Sequence, residues 1–128
     1  MTASPNTATP RRRFPARVFT VGEEPDVRFT LANERTFLAW IRTSLALLAG
    51  GVALEVLGLD LNPALRLAAS MVLVGAGTLI PFAAWSDWMA AEKALRALTP
   101  LPHSLLGTMV ALLVTIVGLL VLLAVLIP

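Results

Sequence analysis

Three apolar runs, over about residues 36–58, 64–85 and 104–127, constrain this chain more than any other feature. Each is long enough to cross a ~30 Å hydrocarbon core as a helix rising ~1.5 Å per residue. Hydrophobic residues make up 57% of the 128 and charged residues 14%, against roughly 45–50% and about 25% in soluble domains. The excess sits in the long runs and not in scattered core positions. The predicted fold is therefore an all-α integral membrane protein with three transmembrane helices.

Punctuation along the chain supports these limits. The Gly58–Pro63 segment ends the first span, and Asn62 followed by Pro63 reads as an N-cap and a first helical residue. In the second span Gly75 and Gly77 permit close helix approach, and Pro81 is expected to kink or locally unwind its end. Trp85 and Trp88 suit an interfacial belt. From Ser86 to Leu98 a polar helical extension is expected, with Asp87, Glu92, Lys93 and Arg96 at helical spacing, broken by the Thr99–Pro102 segment. The third span is the most lipid-like, with no charge after Arg96 and with Gly107 and Gly118 as small positions.

The charge distribution predicts orientation. The net charge is only +2, but Arg11, Arg12, Arg13, Arg17, Arg28 and Arg35 all precede the first run. The second connection carries Lys93 and Arg96, whereas the first has Arg66 beside Asp60. The positive-inside rule then places the N-terminus and second connection in the cytoplasm and the C-terminus outside. One lysine against nine arginines points to a GC-rich bacterial source, and hence to the bacterial cytoplasmic (inner) membrane.

Residues 1–27 are rich in Pro, Thr, Ser, Ala and charge without apolar periodicity, and are expected to be a disordered basic cytoplasmic tail. Residues 28–128 form the membrane domain. The Arg11–Phe14 run invites a twin-arginine export reading, but no apolar h-region follows before Arg28. A basic arm near anionic lipid headgroups is the simpler expectation.

The first span carries most of the polar information. At ~100° per residue, Arg28, Arg35 and Arg42 fall within a ~40° arc, because each step of seven drifts by ~20°. Beside them runs a stripe of small residues, Ala32, Thr36, Ala39, Thr43, Ala46 and Gly50, at the alternating four-three spacing of a helix-packing seam. Leu38, Ile41, Leu45, Leu48 and Val52 occupy the opposite face. Arg42 lies ~9 Å inside the span, where it either snorkels as an anchor or joins a basic ring around a polar passage formed by several copies. Glu34 points away from Arg35 and is expected to form a rim salt bridge with Arg96, Lys93 or a neighbouring copy's arginine. Asn33 suits a cap or an interhelical hydrogen bond, and Glu55 is expected to meet water.

Chemistry is bounded by absences. The chain has no cysteine and one histidine, His103, so neither disulfides nor a histidine-based metal site can form within it. No Walker-type phosphate loop and no nucleophile–base pair occurs. The chain is predicted not to be an enzyme and to need no cofactor or metal.

The Leu31–Ala46 segment, with its Ala-Asn-Glu-Arg-Thr-Phe-Leu-x-Trp core over 32–40, resembles the YidH-type membrane proteins, domain-of-unknown-function family 202. The three-span layout agrees with that family. So do Trp88, Glu92, Arg96 and Leu101–Pro102, which resemble its Trp…Glu…Arg…Pro-Leu-Pro pattern; the resemblance covers about Val27 onward. The same domain forms the membrane part of fungal vacuolar transporter chaperone subunits, where basic residues on the first span line a central path for polyphosphate. That resemblance implies pathway roles for Arg28 and Arg35, with Glu34 as the acidic neighbour, and Arg42 matches the bacterial form of the motif. Fungal members place arginines at the cytoplasmic end of the second span, where this chain has Asp87 and no base before Lys93.

Two functions are open at this stage. One is a homo-oligomer whose basic stripe binds or conducts a phosphate- or polyphosphate-like anion. The other is a non-conducting scaffold or accessory subunit that packs against partner helices and anionic lipid. The expected partners are the bilayer, anionic headgroups, further copies and a phosphate-type anion, and not nucleic acid.

Overall fold

The computed structural model describes residues 13–127. Its elements are α1 (Ala16–Phe19), α2 (Val27–Val56), α3 (Pro63–Arg96) and α4 (Leu106–Leu126). The three long helices are each long and apolar enough to cross a membrane. The polar lead-in and the first span are one helix, α2. The second span and its polar extension are likewise one helix, α3.

Local chemistry sets the boundaries. The Asp26 side chain accepts from the Arg28 N–H at 2.9 Å and starts α2. Asn62 accepts from the N–H groups of Ala64 and Leu65 at 3.1 and 3.2 Å, with Pro63 in the first turn of α3. Both supply acceptors for donors that a helix start leaves without partners. Gly58 (φ +56°) follows α2 in the left-handed conformation that glycine adopts without steric cost. At the end of α3, Leu98 takes the same conformation (φ 53°) and the Thr99 N–H returns to the Ala94 carbonyl at 3.0 Å.

Helices α2 and α3 form an antiparallel hairpin along their whole length, and α4 packs on α3 without a backbone approach to α2. The hairpin register is uniform. Ser44 donates its hydroxyl proton to the Gly77 carbonyl, and Ser70 donates to the Gly51 carbonyl at 2.8 Å. The two contacts mirror each other about the loop. A Cβ on Gly51 would lie 2.7 Å from a Val74 methyl and 3.0 Å from the Ser70 carbonyl; one on Gly77 would lie 2.9 Å from the Ser44 carbonyl. Each serine thus bonds where the opposing glycine lets the backbones meet. By contrast, a Cβ on Gly75 or Gly118 would meet nothing within 4 Å, so Gly77 alone of the second-span pair has the close approach expected of it.

Of the kink or local unwinding expected at Pro81, the unwinding is absent: α3 runs through it. A proline withholds the N–H that would bond the carbonyl four residues earlier, and its ring crowds that carbonyl. Here that carbonyl belongs to Gly77, the acceptor of the Ser44 hydroxyl. In lipid a freed carbonyl needs a partner from a neighbouring helix, and α2 supplies one.

The expected disordered tail differs in its second half; residues 1–12, with the twin-arginine pair Arg11-Arg12, lie outside the described residues. Val18 is fully buried, and the Arg96 guanidinium sits 4.6 Å over the Phe19 ring. The Glu23 N–H donates to the Arg96 carbonyl at 3.3 Å. Gly22 (φ +63°) lies so close to that carbonyl that a Cβ would fall 2.0 Å from it. Two buried residues, Pro15 and Val18, leave no periodic signal in the sequence, and the segment is held by tertiary contacts on α3.

Candidate functional site

The functional reading depends on which side of α2 is covered. Asn33, Phe37, Trp40, Ser44, Leu47 and Gly51 recur at four and three residues and turn toward α3; all are buried or half-buried. Taken at ~100° per residue, this line leaves Arg28, Arg35 and Arg42 on roughly the opposite side of the helix. All three arginines are exposed, and none forms an ion pair among the described residues. The hairpin register places Arg42 level with Leu79, ~9 Å inside Trp85 by the helical rise.

The small-residue stripe lies one position before the α3-facing line and is not the α2–α3 interface. Ala32, Thr36, Ala39 and Ala46 are exposed, while Thr43 and Gly50 are half-buried. The Thr36 and Thr43 hydroxyls donate to the carbonyls of Ala32 and Ala39 at 3.2 and 3.1 Å. Such back-bonding satisfies the hydroxyls within the helix and leaves methyl groups outward. The stripe is therefore smooth and apolar despite its two threonines.

At the start of α2 the polar groups meet at a carboxylate that the sequence reading named for its spacing but did not pair with Arg96. Glu92 is fully buried. One of its oxygens accepts from Thr30 at 3.5 Å and lies 3.6 Å from Arg96 Nε, and the other accepts from Asn33 Nδ2 at 3.4 Å. Asn33 also donates to the Trp88 carbonyl at 3.2 Å, making it the interhelical hydrogen bonder the sequence suggested. Within the chain, then, Arg96 takes Glu92, one turn away on its own helix, and not Glu34. Glu34 and Lys93 are both exposed without an ion pair among the described residues. The missed signal was the i,i+4 spacing of Glu92 and Arg96, which favours an in-helix pair over a distant one.

Beside this cluster a cleft of about 510 Å³ opens between α2, α3 and the approach to α4. Phe37, Trp40, Trp88 and Leu101 give it apolar walls, and Asp87 and His103 are polar residues in its lining. Trp85 stacks on Trp88 at 5.1 Å and meets Phe37 edge-on at 5.9 Å. Asp87 accepts the Ser104 hydroxyl. Ala32 and Thr36 also line the cleft, so the small-residue stripe runs into it. At the other end of the hairpin, Glu55 lies 3.6 Å from Arg66, with 37% of its side chain exposed. No group of metal ligands occurs among the described residues.

Chemically, the arrangement offers three guanidinium groups in one line on a face that the chain's own helices do not cover. Guanidinium recognises phosphate and carboxylate oxygens through paired hydrogen bonds. The buried Glu92–Arg96 pair, by contrast, is closed within the chain: Arg96 Nε lies 3.6 Å from the carboxylate without a hydrogen-bond partner, and the Arg96 guanidinium caps the Phe19 ring of the preceding segment.

Comparison with known proteins places the chain in a family of membrane proteins. A family model described as Domain of unknown function (DUF202) matches residues 28–94. The inner membrane protein YidH of Escherichia coli (strain K12) is 40% identical over 107 residues, covering 82% of this chain and 92% of that protein. An uncharacterized protein of Mycobacterium tuberculosis (strain ATCC 25618 / H37Rv) is 48% identical over 81 residues, covering 62% of this chain and 66% of that one. No solved structure matches the chain. The family match takes in the hairpin through Ala94, and with three apolar helices and extended identity to an inner membrane protein, the chain belongs to the DUF202 family as a multi-pass protein of the inner membrane.

Proposed function

We propose that this protein works as a homo-oligomer in which the arginine face of α2 binds or conducts a phosphate-like anion. The carrying observation is that Arg28, Arg35 and Arg42 are exposed, unpaired among the described residues, and aligned opposite the face that packs on α3. An arginine near the bilayer centre costs ~2.5–3.5 kcal/mol on insertion scales. Arg42 avoids part of that cost by snorkelling, or by facing water and anions within an assembly. One three-helix chain is too small to enclose a passage, so conduction requires several copies. The positive-inside rule puts the start of α2 in the cytoplasm, which would admit anions from that side. The proposed role is non-enzymatic.

The test is anion flux in liposomes containing the purified protein. Arg35→Gln and Arg42→Gln are expected to reduce phosphate or polyphosphate flux while leaving native mass unchanged. If the wild type passes and binds neither anion, the proposal is lost. A second reading is a non-conducting scaffold or accessory subunit whose arginines rest on lipid phosphates. It is favoured by the position of Arg28 and Arg35 on the Trp88 side of the hairpin, where headgroups suffice as partners. Anionic lipid bound in the absence of flux would favour it.

A further inference from the structure

We infer that the cleft beside Trp88 binds an amine-bearing phospholipid, its ammonium held by Asp87 and the tryptophans and an acyl chain passing between α2 and α4. The site is separate from the anion-binding face, because none of Arg28, Arg35 and Arg42 lines this cleft.

Depth is the first observation. Thr36, Trp85 and Ser104 stand at the expected span limits, and the fold gathers them at one level. Thr36 and Ser104 line the cleft, and Trp85 stacks on Trp88 in its wall. Tryptophan is enriched at the membrane–water boundary. Asp87, His103 and Ser104 therefore lie at headgroup depth. Trp40, Ala84 and Gly107, which also line the cleft, each lie about one turn further into the apolar segments. No backbone approach joins α2 to α4, so with α3 as its floor the cleft opens sideways between them. Its volume of about 510 Å³ falls in the ~300–1,000 Å³ range of small-molecule sites.

Charge is the second observation. Asp87 is half-buried, and no lysine or arginine lines the cleft with it. One of its oxygens accepts the Ser104 hydroxyl; the other has neither hydrogen bond nor ion pair among the described residues. A carboxylate partly withdrawn from water favours a cation, which offsets the lost hydration. Indole rings attract cations as well, within ~6 Å of the ring centre. The Asn33 amide is already committed to Trp88 and Glu92, whereas His103 is exposed and unpaired with Asp87. A neutral imidazole has one N–H to give, and here it can meet a phosphate oxygen. Acceptor and donor at one level suit a zwitterionic ammonium–phosphate head. A purely anionic head would bring its charge to Asp87 without a cation. A water-borne amine would leave the deeper apolar end, at Trp40 and Gly107, unfilled.

The chain's three tryptophans, Trp40, Trp85 and Trp88, all stand in or against this cleft, so their fluorescence reports what enters it. The test reconstitutes the full chain in mixed vesicles of phosphatidylethanolamine and phosphatidylglycerol, with one lipid at a time carrying brominated acyl chains as a contact quencher. Brominated phosphatidylethanolamine is expected to quench more than an equal fraction of brominated phosphatidylglycerol. The preference should reach up to about five-fold, the scale of a partly exposed ion pair. Asp87→Asn keeps an acceptor for Ser104 but removes the charge, and should erase the difference while the helical circular dichroism signal is retained. Gly107→Leu fills the cleft from α4, where a Cβ would meet Trp40 at 4.0 Å without a clash. It should lower quenching by phosphatidylethanolamine to the phosphatidylglycerol level. Equal quenching by the two lipids in the wild type, stronger quenching by phosphatidylglycerol, or a preference that survives either substitution would overturn the site. Loss of the preference on adding soluble ethanolamine would assign the cleft to a water-borne amine and overturn the lipid.

Discussion

The two helix pairs of this protein meet by different means. Along the α2–α3 hairpin, side chains donate across the interface at both ends and in the middle: Ser70 to Gly51, Ser44 to Gly77, Asn33 to Trp88 and Glu92, and Thr30 to Glu92. Between α3 and α4 the polar links described lie only at the ends, where the Asn62 N–H bonds the Ala124 carbonyl at 3.2 Å and Ser104 bonds Asp87. The middle of α4 contributes apolar residues such as Leu113, Val117 and Leu120. Lipid is as apolar as leucine, so apolar contact alone distinguishes a partner helix poorly from lipid. The hairpin is the specified unit, and α4 is a lipid-like helix laid along one side of it.

The strongest way to break this contrast is at the buried charge. Glu92→Ala would leave Arg96 without its counter-ion at a site where both side chains are at least nine-tenths buried. Removing one partner of a buried pair costs ~3–5 kcal/mol. Denaturant titration in detergent should show a loss of that order, together with proteolytic release of residues 13–24, whose Phe19 rests on Arg96. Unchanged stability and protection would mean that the cluster does not anchor the hairpin.

A smaller effect is expected from the close approach. Gly77→Leu places a side chain where even a Cβ lies 2.7 Å from Leu48 and 2.9 Å from the Ser44 carbonyl. Overpacking costs ~1–3 kcal/mol, and here it also pushes Ser44 away from its acceptor. Gly75→Ala and Gly118→Ala, which meet open space, should stay within about 0.5 kcal/mol. Equal losses from all three, measured by the same titration, would erase the distinction between the hairpin and the rest.

The finest test concerns the Ser44–Gly77–Pro81 arrangement. Interhelical hydrogen bonds in membranes average ~0.6 kcal/mol and reach ~1.7, and Ser44→Ala should fall toward the upper figure because Pro81 leaves the Gly77 carbonyl without its helical donor. In a Pro81→Ala background residue 81 regains an N–H, and the cost of Ser44→Ala should shrink. A double-mutant cycle measures that coupling. Strict additivity would show that serine and proline act independently.

Much of the first site reading was legible because it depended on spacing alone. The arginine line follows from steps of seven on any continuous helix, and α2 is continuous from Val27 to Val56. The direction of that line was not legible. Two lines on α2 have the same four-three spacing, one of small residues from Ala32 to Gly50 and one of mixed sizes from Asn33 to Gly51. Spacing favours both equally, and α3 packs on the second. Within one chain Glu34 does not pair with Arg96, for a related reason: Glu34 and Glu92 are both acids near Arg96 in a sequence sketch, but only Glu92 shares a helix face with it.

By itself the sequence determined three membrane-crossing helices, the Asn62–Pro63 start of α3 and the mutual alignment of Arg28, Arg35 and Arg42. These follow from transfer free energies and helical geometry summed along one segment at a time. Tertiary structure decided which side of α2 is covered, which carbonyl replaces Pro81's missing donor and which carboxylate holds Arg96. Those are properties of pairs: Gly51 and Gly77 become contacts because Ser70 and Ser44 stand opposite them on the other helix.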